Sequence, residues 1–117
     1  MARHAGAIRR ICAVLDKHVG EDIPLDDLAA MASLRRAQFS RTFHEVVGMT
    51  LKSYRQEVKL KRAQRLMLRS SLSLTEIAAE AGFYDLAHLD KVCRRRRGMT
   101  PQAFRHRHRR SKKRDTR

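Results

Sequence analysis

An internal repeat constrains the fold of this chain more than any other feature of its sequence. The segment Pro24-Leu-Asp-Asp-Leu-Ala-Ala-Met-Ala-Ser33 returns as Ser73-Leu-Thr-Glu-Ile-Ala-Ala-Glu-Ala-Gly82, at an offset of 49 residues. Gly48-Met-Thr50 returns as Gly98-Met-Thr100, at an offset of 50 residues. Each copy reads as a short helix, a tight turn and a longer helix that ends at glycine. The sequence therefore predicts two related helical units in tandem.

Apolar residues recur at helical spacing along most of the chain, and no segment shows the alternation of a half-buried strand. Pro24 and Pro101 are the only prolines, and both lie where helices start,. Ser73 and Glu76 form a capping-box pattern at another helix start. These signals predict an all-α fold of about seven helices.

The predicted helices divide the chain into four parts. Residues 1–50 form an N-terminal helix-turn-helix unit, and residues 51–69 form a long linker helix. Residues 70–106 form a C-terminal helix-turn-helix unit. Residues 107–117 contain no apolar residue and are strongly basic, so we expect a disordered tail there.

The charge of the chain indicates a polyanionic partner. Lys and Arg total 27 against 12 Asp and Glu, which is a formal net charge of +15. Residues 94–117 hold 12 basic residues and one acid, a net charge of +11. Such an excess is typical of nucleic-acid-binding proteins, and helix-turn-helix units insert their second helix into the DNA major groove. We expect double-stranded DNA to be the partner.

Other classes of protein find little support in the sequence. No run of eighteen apolar residues and no secretory leader are present, so we expect no membrane association,. Two cysteines are too few for a disulfide framework, which favours a reducing cytoplasm,. Without a phosphate-binding loop, nucleophile elbow or paired carboxylates, we expect no enzyme activity and no cofactor. Cys93, His106 and His108 lack the spacing of metal ligands, so no metal is expected.

The motifs taken together are specific. They comprise Pro24-Leu-Asp-Asp-Leu-Ala-Ala-Met-Ala32, Phe39-Ser-Arg-Thr-Phe43, Gly48-Met-Thr50, Tyr54, Leu60, Ala63, Leu66, Leu74-Thr-Glu-Ile-Ala-Ala-Glu-Ala-Gly-Phe83, Gly98-Met-Thr-Pro101 and Phe104-Arg105. In this combination the chain resembles the DNA-binding domain of the AraC/XylS family of bacterial transcription regulators, over about residues 8 to 106.

The resemblance implies two helix-turn-helix units joined by a long helix, in a transcription regulator that acts as an activator. It also implies a contact with RNA polymerase and a location in the bacterial cytoplasm, on the nucleoid when DNA is bound. Because little of the chain lies outside the matched region, it is most similar to the short stand-alone members of the MarA/SoxS type. A fragment of a longer regulator is the alternative.

The sequence departs from the family pattern in both units. Ser33-Leu34-Arg35 replaces the usual Gly, apolar residue and Ser of the first turn, which removes a residue suited to positive φ and a good N-cap. We therefore expect a looser first turn. In the second unit, Leu89 and Cys93 replace aromatic residues and Arg97 replaces an apolar one, so we expect a less filled core and weaker DNA reading.

In the first unit, Phe39, Phe43 and Val46 point inward and define the opposite, outer face of the second helix. Arginine pairs with guanine and glutamine with adenine in the major groove. The candidates for base reading are therefore Arg41 first, then Gln38, with Ala37 and Ser40 beside them. Arg36 and His44 are candidates for phosphate contacts.

In the second unit, the equivalent outer face gives base-reading candidates Lys91, His88 and Ala87, with Arg94 and Arg95 for phosphates. Asp90 lies near this face, where its carboxylate repels phosphate but is able to accept from a cytosine amine. The run Arg94–Arg97 is either a phosphate clamp or a set of charges favourable at a helix C-terminus.

Two functions remain open at this stage. The first is a sequence-specific regulator that binds as a monomer, with two recognition helices in successive major grooves. The alternative is a sequence-tolerant nucleic-acid-binding protein whose affinity comes mainly from the basic C-terminal tail.

Overall fold

The structure is a computed structural model that describes the backbone of residues 4–115 and the side chains of residues 4–108. Within that part of the chain there are seven helices and no strand, which confirms the all-α prediction. The helices are α1 (Ala5–Lys17), α2 (Leu25–Met31), α3 (Arg36–Val47), α4 (Leu51–Arg69), α5 (Leu74–Ala81), α6 (Leu86–Arg97) and α7 (Pro101–Asp115).

The chain divides into two compact units, residues 1–58 and 59–117. The boundary falls inside α4, which has the bounds predicted for the linker helix, residues 51–69. Leu51 and Tyr54 near its start pack against the first core, whereas Leu60 is buried in the second. One helix therefore closes the first unit and opens the second.

The core of the first unit brings together α1, α2 and α3. Its buried residues are Ile8, Ile11, Leu15, Leu28, Ala29, Ala32, Phe39 and Phe43. The Phe43 ring meets the edge of Tyr54 at a centroid distance of 5.6 Å. The Tyr54 hydroxyl donates to Asp16 Oδ1 at 2.7 Å, and burial together with this bond raises the pKa of Tyr54. Tyr54 thus links α4 to both α1 and α3.

The core of the second unit contains two of the residues that depart from the family pattern. Leu89 and Cys93 are fully buried, and burial raises the pKa of the Cys93 thiol. The third departure, Arg97, is half-buried and donates from Nε to Gln64 Oε1 at 3.2 Å. A polar contact to α4 therefore occupies the position where the family has an apolar side chain.

The repeat extends further in three dimensions than the sequence comparison indicated. Ile8, Ile11 and Leu15 of α1 correspond to Leu60, Ala63 and Met67 of α4 at an offset of 52, and all six are buried. The start of α4 corresponds in turn to α7 at an offset of 50, which pairs Tyr54-Arg55 with Phe104-Arg105. Each unit is therefore built from four helical segments in the same order.

The paired arginines bind the backbone ahead of each short helix. Arg55 Nη2 donates to the Ile23 carbonyl, just before α2. Arg105 donates to the carbonyls of Met67, Ser70 and Leu72, at 3.1, 2.7 and 2.6 Å, just before α5. These bonds satisfy carbonyl groups that lie in the last turn of α4 or in a connecting segment,.

Helix α7 continues to Asp115, so the backbone of residues 107–115 is helical where the sequence analysis expected a disordered tail. Residues 102–115 contain neither Pro nor Gly, and Arg and Lys favour helices,. The composition argument failed because a helix that has already started needs no apolar residue to continue. The rest of the predicted tail, residues 116 and 117, lies outside the described residues.

The first turn keeps the geometry of the second although it lacks glycine. Ser33 adopts φ 57°, and Gly82 at the equivalent position adopts φ 91°. The Leu34 N–H donates to the Ala29 carbonyl, and the Phe83 N–H donates to the Ala78 carbonyl, each at 2.9 Å. The expected loosening is therefore not seen in the turn hydrogen bonds. Serine instead holds a left-handed conformation that costs more for it than for glycine.

The capping box of α5 makes the stability of the second unit depend on pH. The Ser73 backbone N–H donates to Glu76 Oε1 at 2.9 Å, and this bond holds the pKa of Glu76 below its usual range. The folded state therefore favours the carboxylate, and the resulting stability is present above pH 4.5 and lost as the pH falls further,. We expect Glu76→Gln to lower the urea midpoint more at pH 7 than at pH 3, because protonation of Glu76 at low pH removes the same charge. Equal shifts at both pH values would contradict this.

Candidate nucleic-acid interface

Helix α3 presents a polar face because two aromatic residues anchor its other side. Phe39 and Phe43 are fully buried, and their rings lie 5.8 Å apart. Every side chain predicted to face DNA in this unit is exposed, namely Arg36, Ala37, Gln38, Ser40, Arg41 and His44. Helical spacing therefore predicted the exposed face of α3 correctly, and the contact of this face with DNA stays a prediction.

Two of these side chains already have partners within the unit. Arg36 Nε lies 2.9 Å from Asp26 Oδ1 of α2. Gln38 Oε1 accepts from the Arg35 N–H at 3.4 Å, while the Arg35 side chain makes no cap hydrogen bond to the first turn of α3. Both contacts are exposed to solvent, so each contributes little to stability,. Arg41 is the first candidate for base reading in this unit. Within the part of the chain that the structure describes, its guanidinium makes no ion pair or hydrogen bond of this kind.

A shallow groove adjoins Arg41. It has a volume of about 500 Å³, and its lining residues are Leu25, Ser40, Arg41, His44, Thr50, Leu51 and Lys52. No acidic side chain lines it, and the Thr50 hydroxyl accepts from the Ser53 N–H at 3.1 Å at the start of α4. Lys52 was not among the predicted DNA-facing residues. The short Gly48-Met-Thr50 connection was the available signal, because it keeps the first turn of α4 next to the end of α3.

Helix α6 carries a different set of side chains on the equivalent face. Ala87, Lys91, Arg94 and Arg95 are exposed, as predicted. His88 is half-buried, because its ring lies edge-on to Phe83 at 5.4 Å and its Nδ1 accepts from the Tyr84 N–H at 3.3 Å. His88 is therefore partly committed to the turn, and Nε2 is the nitrogen left to carry a proton when the ring is neutral.

The run Arg94–Arg97 does not form one basic surface. Arg94 Nη1 lies 3.3 Å from Asp90 Oδ2, and Arg95 is exposed. Arg96 and Arg97 are half-buried, with Arg97 bonded to Gln64. The run therefore supplies two exposed cations, and the other two pack within the unit.

Tyr84 is a second surface feature that helical periodicity did not predict. Its side chain is 92% exposed, and it immediately precedes Asp85, whose Oδ1 accepts from the His88 N–H at 2.8 Å as the N-cap of α6. Periodicity missed Tyr84 because it lies between helices. It places an aromatic ring at the entrance of the helix predicted to contact DNA.

Comparison with known proteins identifies the family to which these two helix-turn-helix units belong. The profile of a family described as a helix-turn-helix domain matches residues 28–107, which include both turns and both exposed helices. This chain belongs to the AraC-type helix-turn-helix family. Members of this family are DNA-binding transcription regulators, and the match confirms the resemblance inferred from the motifs.

Two curated relatives and one solved structure illustrate the similarity of this AraC-type domain. The HTH-type transcriptional regulator GbdR of Pseudomonas aeruginosa is 30% identical over 95 residues, which cover 81% of this chain and 26% of GbdR. The HTH-type transcriptional activator RhaR of Escherichia coli is 34% identical over 82 residues, covering 70% of this chain and 29% of RhaR. The chain thus spans less than a third of the length of either relative.

The solved structure is the DNA-binding domain of AdpA, described as a global transcriptional factor in complex with a target DNA. It is 29% identical to this chain with a TM-score of 0.82, over 88% of this chain and 93% of that domain. The similarity supports the same two-unit helix-turn-helix fold for this AraC-type domain.

The described residues of the AraC-type domain show two further facts. None of their helices combines the length and apolar character needed to cross a bilayer. Within the same residues, no three His, Cys, Asp or Glu side chains cluster as metal ligands. Cys93 lies in the core, and the His108 ring stacks on Phe104 at 4.0 Å.

Proposed function

We propose that this AraC-type domain is a sequence-specific DNA-binding regulator that reads bases with α3 and supports the complex with α6. The observation that carries the proposal is the exposed face of α3, opposite the buried Phe39 and Phe43. There Arg41 has no ion-pair partner among the described residues and lines a groove that has no acidic side chain in its lining. The AdpA domain, which resembles this chain over nearly its whole length, is described in complex with target DNA.

In the first unit, Arg41 donates to a guanine, and Gln38 contacts an adenine once its amide leaves the Arg35 N–H. Ala37 and Ser40 contact base edges beside them. Arg36 and His44 contact phosphates, and Arg36 exchanges its Asp26 partner for a phosphate oxygen.

In the second unit, Lys91 is the main contact to base edges, with Ala87 and His88 at its margin. Arg94 and Arg95 contact phosphates. The lysine ammonium is a compact charge whose hydrogen bonds are less directional than those of the planar arginine guanidinium. His88 is partly held by its hydrogen bond to the Tyr84 N–H in the turn. The basic residues of this helix therefore contribute affinity and position more than sequence choice.

The same proposal includes activation of transcription in the bacterial cytoplasm. RhaR, which is 34% identical over the matched region, is described as an activator. An activator of this kind contacts RNA polymerase in addition to DNA. The excess of basic residues favours the contact with DNA.

Selection of bound sequences from random duplex DNA tests the function. We expect one sequence to be enriched, and unlabelled random DNA to compete for it at least a hundredfold less well than the selected sequence does. Equal competition by both would contradict sequence-specific reading and favour the tail-dominated alternative, in which the net +11 of residues 94–117 supplies the affinity,.

Stoichiometry gives a separate prediction. Two recognition helices on one chain make dimerisation unnecessary for contacting two groove segments. We expect one protein molecule to bind an asymmetric site of roughly two helical turns of DNA. Sedimentation equilibrium of the complex on a short selected duplex measures the ratio. A two-to-one complex on a palindromic site would contradict the monomer prediction.

A further inference from the structure

The two DNA-facing helices differ most at one pair of equivalent positions. At an offset of 50 residues, Arg41 corresponds to Lys91 and His44 corresponds to Arg94, so cationic or weakly basic side chains stand at both. Ser40 corresponds to Asp90. An acid therefore replaces a small neutral residue in the middle of the exposed face of α6.

Asp90 belongs to the exposed stripe of α6 by spacing and by contact. It lies three residues after Ala87 and four before Arg94, which places all three on the same side of the helix. Its Oδ2 lies 3.3 Å from Arg94 Nη1, while the Asp90 side chain is 35% exposed and the Arg94 side chain 64% exposed. Asp before Arg at this spacing is the favourable orientation for such a pair.

We propose that Asp90 is a specificity-determining residue of the second unit, because its carboxylate restrains Arg94 and favours a groove in which a cytosine amine donates a hydrogen bond to it. The inference rests on the proposed function and refines it. It assigns to the second unit a preference for cytosine at one base position, which Lys91 and Ala87 do not supply.

The restraint follows from charge. When Arg94 is held by Asp90, the pair has no net charge, and a phosphate gains little by approaching it. The carboxylate also repels phosphate oxygens directly. On random DNA the face of α6 therefore binds more weakly than its count of basic residues suggests.

The preference follows from hydrogen bonding. A carboxylate only accepts hydrogen bonds, and in the major groove the cytosine N4 amine donates to such an acceptor. Guanine and thymine present acceptors at the corresponding edge, which a carboxylate is unable to pair with, and adenine places the acceptor N7 beside its N6 amine, so cytosine is the favoured partner. When Asp90 binds a cytosine, Arg94 is released to a phosphate, so base recognition and phosphate binding strengthen together.

Asp90→Asn is the decisive variant, because it keeps the size of the side chain and removes its charge. We expect its affinity for random DNA to rise several-fold. On random DNA, the dependence of log affinity on log salt should steepen by about one phosphate contact, because Arg94 is then free to bind a phosphate whatever the base sequence. The ratio of selected-site to random-site affinity should fall about tenfold, with loss of the preference for one C·G pair in the selected sequences.

Two controls accompany this variant. Glu21→Gln removes one negative charge from an exposed side chain between α1 and α2, with no proposed DNA contact, and should change neither the ratio nor the salt dependence. The double variant Asp90→Asn/Arg94→Ala should return the salt dependence on random DNA to the wild-type value. Circular dichroism melting verifies that each variant is folded.

The outcomes separate this inference from the proposed function. If Asp90→Asn behaves as Glu21→Gln does in both the affinity ratio and the salt dependence, the role of Asp90 is wrong, while a clear site preference of the wild type still supports the function. If the wild type itself prefers no sequence, the proposed function fails, and the specificity role of Asp90 fails with it.

Discussion

Arg41→Ala should weaken binding to the selected site by about 1–3 kcal/mol, and it should weaken binding to random DNA far less. The side chain is exposed on the face of α3 opposite the buried Phe39 and Phe43, so its removal leaves the core intact. Titration of selected and scrambled duplexes at one salt concentration measures both losses.

Three comparisons sharpen this prediction. Arg41→Lys keeps the charge but loses the paired donors, so it should retain random-DNA affinity and lose most of the site preference. Lys91→Ala should weaken both kinds of binding more evenly. Arg9→Ala removes an exposed charge of α1 and should affect the ratio least. An unchanged ratio in Arg41→Ala would contradict base reading by the first unit.

Arg105→Met should reduce the free energy of unfolding by about 3 kcal/mol, because charged hydrogen bonds are among the strongest and their loss leaves carbonyls unpaired. Arg105 donates to the carbonyls of Met67, Ser70 and Leu72 from all three guanidinium nitrogens. Equilibrium unfolding in urea, followed by circular dichroism, measures the change.

Lysine at position 105 tests whether the geometry matters as well as the charge. We expect Arg105→Lys to recover less than half of the lost stability, because an ammonium group lacks the planar set of donors with which the guanidinium reaches three carbonyls,. Arg107→Ala, an exposed neighbour on α7, should change stability by no more than about 0.5 kcal/mol,. Wild-type stability of Arg105→Met would overturn the assignment.

The corresponding arginine of the first unit is expected to matter less. Arg55 donates to a single carbonyl, that of Ile23, whereas Arg105 donates to three. The comparison shows that the repeat conserves the position of the arginine but not the number of its bonds. The connection after α4 is shorter than the connection after α1, which brings more carbonyl groups within reach of one side chain.

The sequence alone determined the fold class, the two-unit repeat and the outer faces of α3 and α6. These follow from periodicity, because the burial of Phe39 and Phe43 leaves Arg41 only one side of the helix on which to lie. The helix ends at Gly48, Gly82 and Gly98 were also predictable, because glycine commonly ends a helix with a positive φ. All three adopt a positive φ in the structure.

The tertiary structure decided which of the exposed side chains are already engaged. Arg36 is paired with Asp26 of another helix, His88 packs against Phe83 in a turn, and Arg97 bonds to Gln64 of α4. None of these partners is fixed by helical spacing, because each depends on how helices and turns approach one another. The boundary between the units inside α4 and the three hydrogen bonds of Arg105 also depend on how the helices pack. Periodicity specifies which side of a helix faces out, but only packing brings residues distant in sequence within hydrogen-bonding distance.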